Sequence, residues 1–228
     1  MPQKISVIIP AFNEEDSLPL VLKDLPKNSL LEIIVVDNGS TDATSKIAEE
    51  NGARVVFESR FGYGSACLKG IAELNDPDIV VFIDGDYSDY PEEIDKLLQP
   101  ILKEEKDFVL GSRMIYSKSR MALLPQARFG NRLAVFLMRL CFGGYQYTDL
   151  GPFRAIRYDS LRAIEMRDTN FGWTVEMQIK AIKQNLRILE IPVKYRYRIG
   201  VSKITGTISG TFKAGLKIVY TIFRHLLI

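Results

Sequence analysis

The 228-residue chain is 46% hydrophobic and 25% charged, proportions of a globular domain that exclude a disordered or fibrous one. Two distant cysteines and a single histidine argue against a zinc centre or a disulfide scaffold. No signal peptide is read at the N-terminus, so a reducing cytoplasm is expected. The net charge of +2 conceals a division: up to Leu110 ten Lys/Arg stand against 22 Asp/Glu, and beyond it 20 stand against six. No acid occurs from Gly111 to Thr148, and such a split points to an anionic partner for the basic half.

In chain order, the apolar run from Ile5 to Pro10 reads as a first buried strand. Residues 14–25 follow with Leu18, Val21, Leu22 and Leu25 on one helical face. Residues 31–37 form a second strand, and Ser40 or Thr41 is placed to cap a helix through Glu50. A short strand over 54–57 leads to the glycine-rich stretch 61–65 and a helix through Leu74. A fourth strand runs to Asp84, a helix covers 91–103, and 108–111 reads as a further strand. This alternation predicts an α/β fold with a mainly parallel sheet and right-handed crossovers. The glycines at 62 and 64 lack the dinucleotide spacing, and no phosphate-loop lysine follows, which removes support from ordinary dehydrogenases and ATPases.

Three strand ends carry polar residues where open α/β sheets bind ligands. The run Val80–Ile83 ends in Asp84-Gly85-Asp86, whose two carboxylates can share Mg²⁺ or Mn²⁺ with a diphosphate, or simply form an acidic turn. Asp37 is able to accept hydrogen bonds from a base or a ribose, and the competing reading for Asp37 and Asn38 is plain turn chemistry. The third end is Pro10-Ala11-Phe12-Asn13-Glu14.

Together, residues 7–14, residues 35–42 and Asp84-Gly85-Asp86 resemble family 2 glycosyltransferases, which have the Rossmann-like GT-A fold. Gly111-Ser112-Arg113, the stretch from Thr148 to Arg154, and Ser202-Lys203 resemble the branch of dolichyl- and polyprenyl-phosphate mannose or glucose synthases. The resemblance implies that Pro10, Ala11, Asn13, Glu14, Asp37 and Gly39 hold the nucleotide sugar, with Asp84, Gly85 and Asp86 at the metal and diphosphate. Two positions depart from the pattern: Asn38 where a second aspartate is common, and Ser88 where mannose synthases can offer glutamine to the metal.

In the basic half, residues 125–142 place Arg128, Arg132 and Arg139 in one helical stripe, and Lys213, Lys217 and Arg224 repeat those spacings near the C-terminus. Each stripe lies beside an apolar one. These helices either lie in a membrane interface or pack on the sheet with a solvated basic face, and neither is apolar enough to span a bilayer. A phosphate-monoester acceptor is largely dianionic near neutrality and needs cations rather than a base. Arg113, Arg128, Ser202 and Lys203 are the candidates to hold it. Asp149 and Glu176 are the acidic candidates for orienting an acceptor or acting as base, and Trp173 reads as a buried aromatic rather than a sugar platform.

The expected whole is one domain, 1–228, with a nucleotide-sugar half at 1–110 and an acceptor half at 111–228. Asp86, Arg113, Asp149 and Glu176 are its expected catalytic residues. The expected activity is inverting, metal-dependent sugar transfer to a polyprenyl phosphate, peripheral at the cytoplasmic membrane face, with no nucleic-acid partner. The alternatives are a hydroxyl acceptor, or a catalytically silent nucleotide-sugar-binding scaffold.

Overall fold

Strand β1 (Ile5–Ala11) is apolar because both of its faces are covered. Ile5, Val7, Ile9 and Ala11 enter one core, shared with α1 (Leu18–Asp24) and α4 (Ile94–Leu102). Ile8 enters a second core on the opposite face, shared with α3 (Tyr63–Ala72), α6 (Pro125–Phe142) and α8 (Trp173–Lys183). The computed structural model describes residues 3–145, 147–200 and 208–227.

The sheet holds seven strands in the order β3-β2-β1-β4-β6-β5-β7. These are β2 (Glu32–Asp37), β3 (Arg54–Phe57), β4 (Ile79–Phe82), β5 (Phe108–Ser112), β6 (Arg154–Arg157) and β7 (Ile188–Pro192) around β1. Strands β1 to β4 pair in parallel, as do β5 and β7, whereas β6 runs antiparallel to both β4 and β5. Strands from the acidic and the basic stretches thus share one sheet. The remaining helices are α2 (Thr44–Glu50), α5 (Ser117–Ala122), α7 (Tyr158–Ala163) and α9 (Ile208–Leu226), the last packed against α6 and α8.

Three local expectations change. Strand β4 stops at Phe82, so Asp84 and Asp86 lie in the turn beyond it rather than on its last residues. Neither Ser40 nor Thr41 caps α2: the position before the helix is Ala43, and Ser40 and Thr41 bond to Asn13 instead. Strands β6 and β7 carry no readable alternation. Arg154 is fully buried in β6 because its guanidinium donates to the carbonyls of Thr174 and Gly151, between the rings of Phe108 and Trp173.

Candidate active site

The turns after β1 and β2 clasp each other. Asn13, in the left-handed region at φ 53°, donates its N–H to Ser40 Oγ (2.9 Å), and its Oδ1 accepts from the N–H of Thr41 (2.7 Å). Glu14 donates its N–H to Thr44 Oγ1 (2.8 Å), fastening the first turn to α2. Asp37 is buried and folds onto its own turn, accepting from the N–H of Ser40 and the hydroxyl of Ser45. These are the bonds of the turn-chemistry reading, and they leave further acceptor sites on both oxygens. Gly39, at φ 87°, supplies the left-handed residue this turn needs.

Asn38 explains its own departure from the family pattern. Its Nδ2 donates to the carbonyls of Glu58 (3.0 Å) and Arg60 (2.9 Å), and its Oδ1 accepts from the N–H of Gly62 (2.8 Å). Aspartate has no N–H to offer two carbonyls. The clip holds the loop that carries Phe61, whose ring meets Phe12 edge-on at 5.0 Å. Phe12, Phe61 and Asn38 wall one end of a cleft floored by Pro10, Ala11, Gly85 and the two aspartates, with Glu14 and Arg198 at its side.

Asp84 keeps some surface toward this cleft and accepts from the Tyr63 hydroxyl (3.1 Å). Burial, reinforced by the neighbouring Asp86 charge, raises its pKa to about 7. Asp86 Oδ1 accepts from the N–H and hydroxyl of Ser88, so Ser88 fixes the acidic turn from within. Asp86 Oδ2 lies 3.1 Å from Arg198 Nη1, whose Nη2 meets Glu14 Oε1 at 2.9 Å. A third carboxylate, Asp89, escaped the sequence reading. It is 1% exposed, neither of its oxygens has a hydrogen-bond partner among the described residues, and burial followed by the Asp84 charge pushes its pKa well up. The signal was present as the completion of an Asp-x-Asp-x-x-Asp run.

A second cleft opens beside the first, sharing Tyr63, Asp84 and Phe171 with it. Arg113 enters this cleft from the end of β5, and α6 and α9 contribute small and apolar groups: Ala127, Gly130, Ala214, Gly215 and Ile218. Arg113 is clamped by Asp149. Its Nε and backbone N–H both reach Oδ2 (2.7 and 2.8 Å), its Nη2 reaches Oδ1 (2.9 Å), and its guanidinium lies over the Tyr195 ring. Although burial works against it, the Arg113 charge and its hydrogen bonds hold the Asp149 carboxyl below its usual range. Both Asp149 oxygens are thus engaged with Arg113, the arrangement of a strut. Glu190, absent from the sequence reading, braces the strut by accepting from the N–H groups of Thr148 (2.9 Å) and Asp149 (3.0 Å).

Glu176 is held in a separate network. It is 2% exposed and accepts from the N–H groups of Arg167 and Asp168, with Lys180 Nζ 2.8 Å away. It lines neither cleft. Arg128 sits half-buried on α6 next to Ala127, and is not among the groups lining the second cleft. Ser202 and Lys203 fall outside the described residues. Trp173 is fully buried, packed edge-on against Tyr63 and Phe82. Of the C-terminal stripe, Lys217 turns inward to Asp168 (2.7 Å).

Residues 6–165 match the sequence profile of Glycosyl transferase family 2. The chain belongs to that family. This glycosyltransferase is 31% identical over 223 residues to the undecaprenyl-phosphate mannosyltransferase of Micrococcus luteus, covering 91% of this chain and 90% of the relative. It is also 31% identical over 216 residues to the UDP-N-acetylglucosamine–dolichyl-phosphate N-acetylglucosaminyltransferase of Methanococcus voltae, covering 85% and 86%. Among solved structures, it superposes on glucosyl-3-phosphoglycerate synthase from Mycobacterium tuberculosis in complex with Mn²⁺, UDP-glucose and phosphoglyceric acid. The TM-score is 0.80 at 23% identity, over 99% of this chain and 80% of that one. The GT-A fold and the place beside polyprenyl-phosphate sugar transferases agree with the sequence motifs.

Proposed function

We propose that this glycosyltransferase moves a sugar, with inversion, from a nucleotide diphosphate to a polyprenyl phosphate at the cytoplasmic face of the membrane. The observation that carries this reading is the composition of the second cleft. Among the described residues its cation is Arg113 and its carboxylate is Asp84, and α6 and α9 line it mostly with small and apolar groups beside Gln126 and Asn131. A phosphate head beside Arg113 with an isoprenoid tail between the helices suits that lining. A hydroxyl nucleophile would need a general base, and both acidic candidates are engaged elsewhere, Asp149 with Arg113 and Glu176 with Lys180. A phosphate dianion attacks the anomeric carbon without one.

On the donor side, the aromatic pair of Phe12 and Phe61 gives the base a wall, and Asp84 and Asp86 face the diphosphate. Their chemistry suits Mg²⁺ or Mn²⁺. Both are hard oxygen donors, and Asp84 is raised to about 7 by burial and then by the Asp86 charge, a cost that a divalent cation between them would relieve. Among the described residues no cluster of three acidic, histidine or cysteine ligands is in place, so the diphosphate and water would complete the coordination. When bound, such an ion neutralises charge on the leaving diphosphate. Arg113 places the acceptor phosphate, and the Tyr63 hydroxyl holds Asp84 between the two clefts.

Membrane association is supported by the outward faces of two helices. Phe129, Phe136 and Leu140 on α6 and Phe212, Leu216 and Tyr220 on α9 are all more than half exposed, beside the exposed cations Arg132, Arg139, Lys213 and Arg224. No helix among the described residues is long and apolar enough to cross a bilayer.

The test is incubation with Mg²⁺ or Mn²⁺ and a panel of UDP- and GDP-sugars, with a short-chain polyprenyl phosphate or with phosphoglyceric acid. Lipid-linked sugar is the expected product, reduced at least about a hundredfold in Asp86→Ala. Transfer to a hydroxyl with the lipid ignored would overturn the acceptor assignment.

A further inference from the structure

Both Asp86 oxygens have partners: Ser88 donates to Oδ1, and the Arg198 guanidinium lies against Oδ2. That guanidinium lies inside the donor cleft and bridges Asp86 to Glu14. It is delivered by a strap, residues 193–199, laid along the acidic turn independently of the Arg198 side chain. Arg196 donates its N–H to the Ser88 carbonyl (2.9 Å), and Ile199 donates its own to the Asp86 carbonyl (3.1 Å). The Arg196 guanidinium rests on the rings of Tyr87 and Tyr90, at 3.4 and 4.0 Å, and donates to the carbonyls of Tyr87 and Asp89. Asp89 also bridges to Tyr195.

We propose that Arg198 is a built-in placeholder for the catalytic cation, and that it gives up Asp86 only when a nucleotide diphosphate arrives to receive its charge. The inference rests on the donor-site reading above. The guanidinium lies 3.1 Å from Asp86 in the cleft that Asp84 also lines, where it offsets the repulsion between the two carboxylates. A divalent ion arriving alone has to displace it, with nothing to take up the guanidinium charge. With a diphosphate present, the five N–H donors of the planar guanidinium find phosphate oxygens within reach of the same cleft. Metal and donor are therefore coupled: each loads well only with the other, and the coupling is lodged in one side chain. The arrangement keeps the protein from holding a divalent ion when no donor is bound.

The full chain is titrated with Mn²⁺, following the electron paramagnetic resonance signal of the free ion, alone and with UDP or GDP. Arg198→Met keeps the side-chain length and removes the charge, and the strap's own bonds through Arg196 and Ile199 remain to hold it in place. Arg198→Met is expected to bind Mn²⁺ alone about tenfold more tightly than wild type, and to lose most of the gain in Mn²⁺ affinity that a nucleotide diphosphate confers. Arg198→Lys, which keeps a cation, is expected to stay near wild type for Mn²⁺ alone. Equal or weaker Mn²⁺ binding in the Met variant overturns the placeholder, as does a Lys variant that behaves like Met. Unfolding temperatures measured with and without Mn²⁺ guard against misfolding: the Met variant should gain more from the ion than wild type does, and a gain no larger counts against the proposal. Asp86→Asn should abolish Mn²⁺ binding in every background. If it does not, the metal reading of the donor site falls as well, a result distinct from failure of the Arg198 variants alone.

Discussion

The acidic and basic halves use their carboxylates in opposite ways. Up to Leu110, the acids at the strand ends are held by backbone N–H groups and hydroxyls: Asp37 by Ser40 and Ser45, Asp42 by Thr44, Asp86 by Ser88. These bonds organise the turns around the donor cleft, where Asp86 and Glu14 also share the Arg198 guanidinium. Beyond Leu110 there are only six, and five are paired with cations: Asp149 with Arg113, Asp159 with Arg162, Glu165 with Arg167, Asp168 with Lys217 and Glu176 with Lys180. The sixth, Glu190, braces the loop of Asp149. On the proposed function the first half serves the cation and diphosphate, while the second uses its few acids as struts. Charge counted along the sequence shows the asymmetry, but only the pairing shows that five of those six acids already hold a cation.

The sharpest way to break this contrast is Asp149→Asn. If Asp149 were a base, the variant would be inactive at every acceptor concentration. As a strut, its loss weakens the grip on Arg113, so KM for the acceptor is expected to rise by about a hundredfold while KM for the donor stays within about twofold. Steady-state kinetics with each substrate varied in turn decides between them. A fall in kcat with both KM values unchanged would restore Asp149 as a catalytic residue.

A smaller effect is expected on the donor side from Asn38→Asp. The change removes two donated hydrogen bonds and sets a carboxylate against the carbonyls of Glu58 and Arg60. Losing those bonds costs about 1–3 kcal/mol, and loosening the loop of Phe61 should weaken nucleotide binding about tenfold. Calorimetric titration with UDP and GDP, beside thermal unfolding, measures both. Nucleotide affinity equal to wild type would show that the clip does not shape the base wall.

These residues also show why the sequence was readable in some places and not in others. Strands β1, β2, β4 and β5 are buried on both faces, so their apolar runs stand out without any knowledge of their neighbours. Strand β6 is bounded by Arg154 and Arg157, and its place between β4 and β5 depends on partners far along the chain. The donor turns were legible because each follows its strand directly. Arg198 reaches Glu14 across 184 positions, and Glu190 reaches Thr148 across 42. No local pattern announces such contacts. The run Tyr195-Arg196-Tyr197-Arg198 was the available hint, aromatic and cationic by turns just ahead of Ser202-Lys203.

The smallest predicted effect concerns Glu190, and its sign follows from burial. Burial raises this carboxyl from the ordinary glutamate range to about 7, against the hydrogen bonds from Thr148 that favour the ionised form. Between about pH 4.5 and pH 7 the folded protein therefore keeps a proton that the unfolded chain has already released. Glu190 accordingly makes stability fall as pH rises through that window, and adds no slope above it. Glutamine has no proton to retain and keeps an acceptor oxygen for the N–H groups of Thr148 and Asp149, so Glu190→Gln should flatten that part of the curve while changing acceptor kcat/KM by no more than about threefold. Urea midpoints for both proteins from pH 5 to pH 8 isolate the contribution, because every other titrating group, Asp84 included, is common to the pair. Parallel curves would mean that the carboxyl ionises normally when folded. The brace would then be an ordinary charged acceptor, and the acceptor half would hold one acid that burial does not constrain.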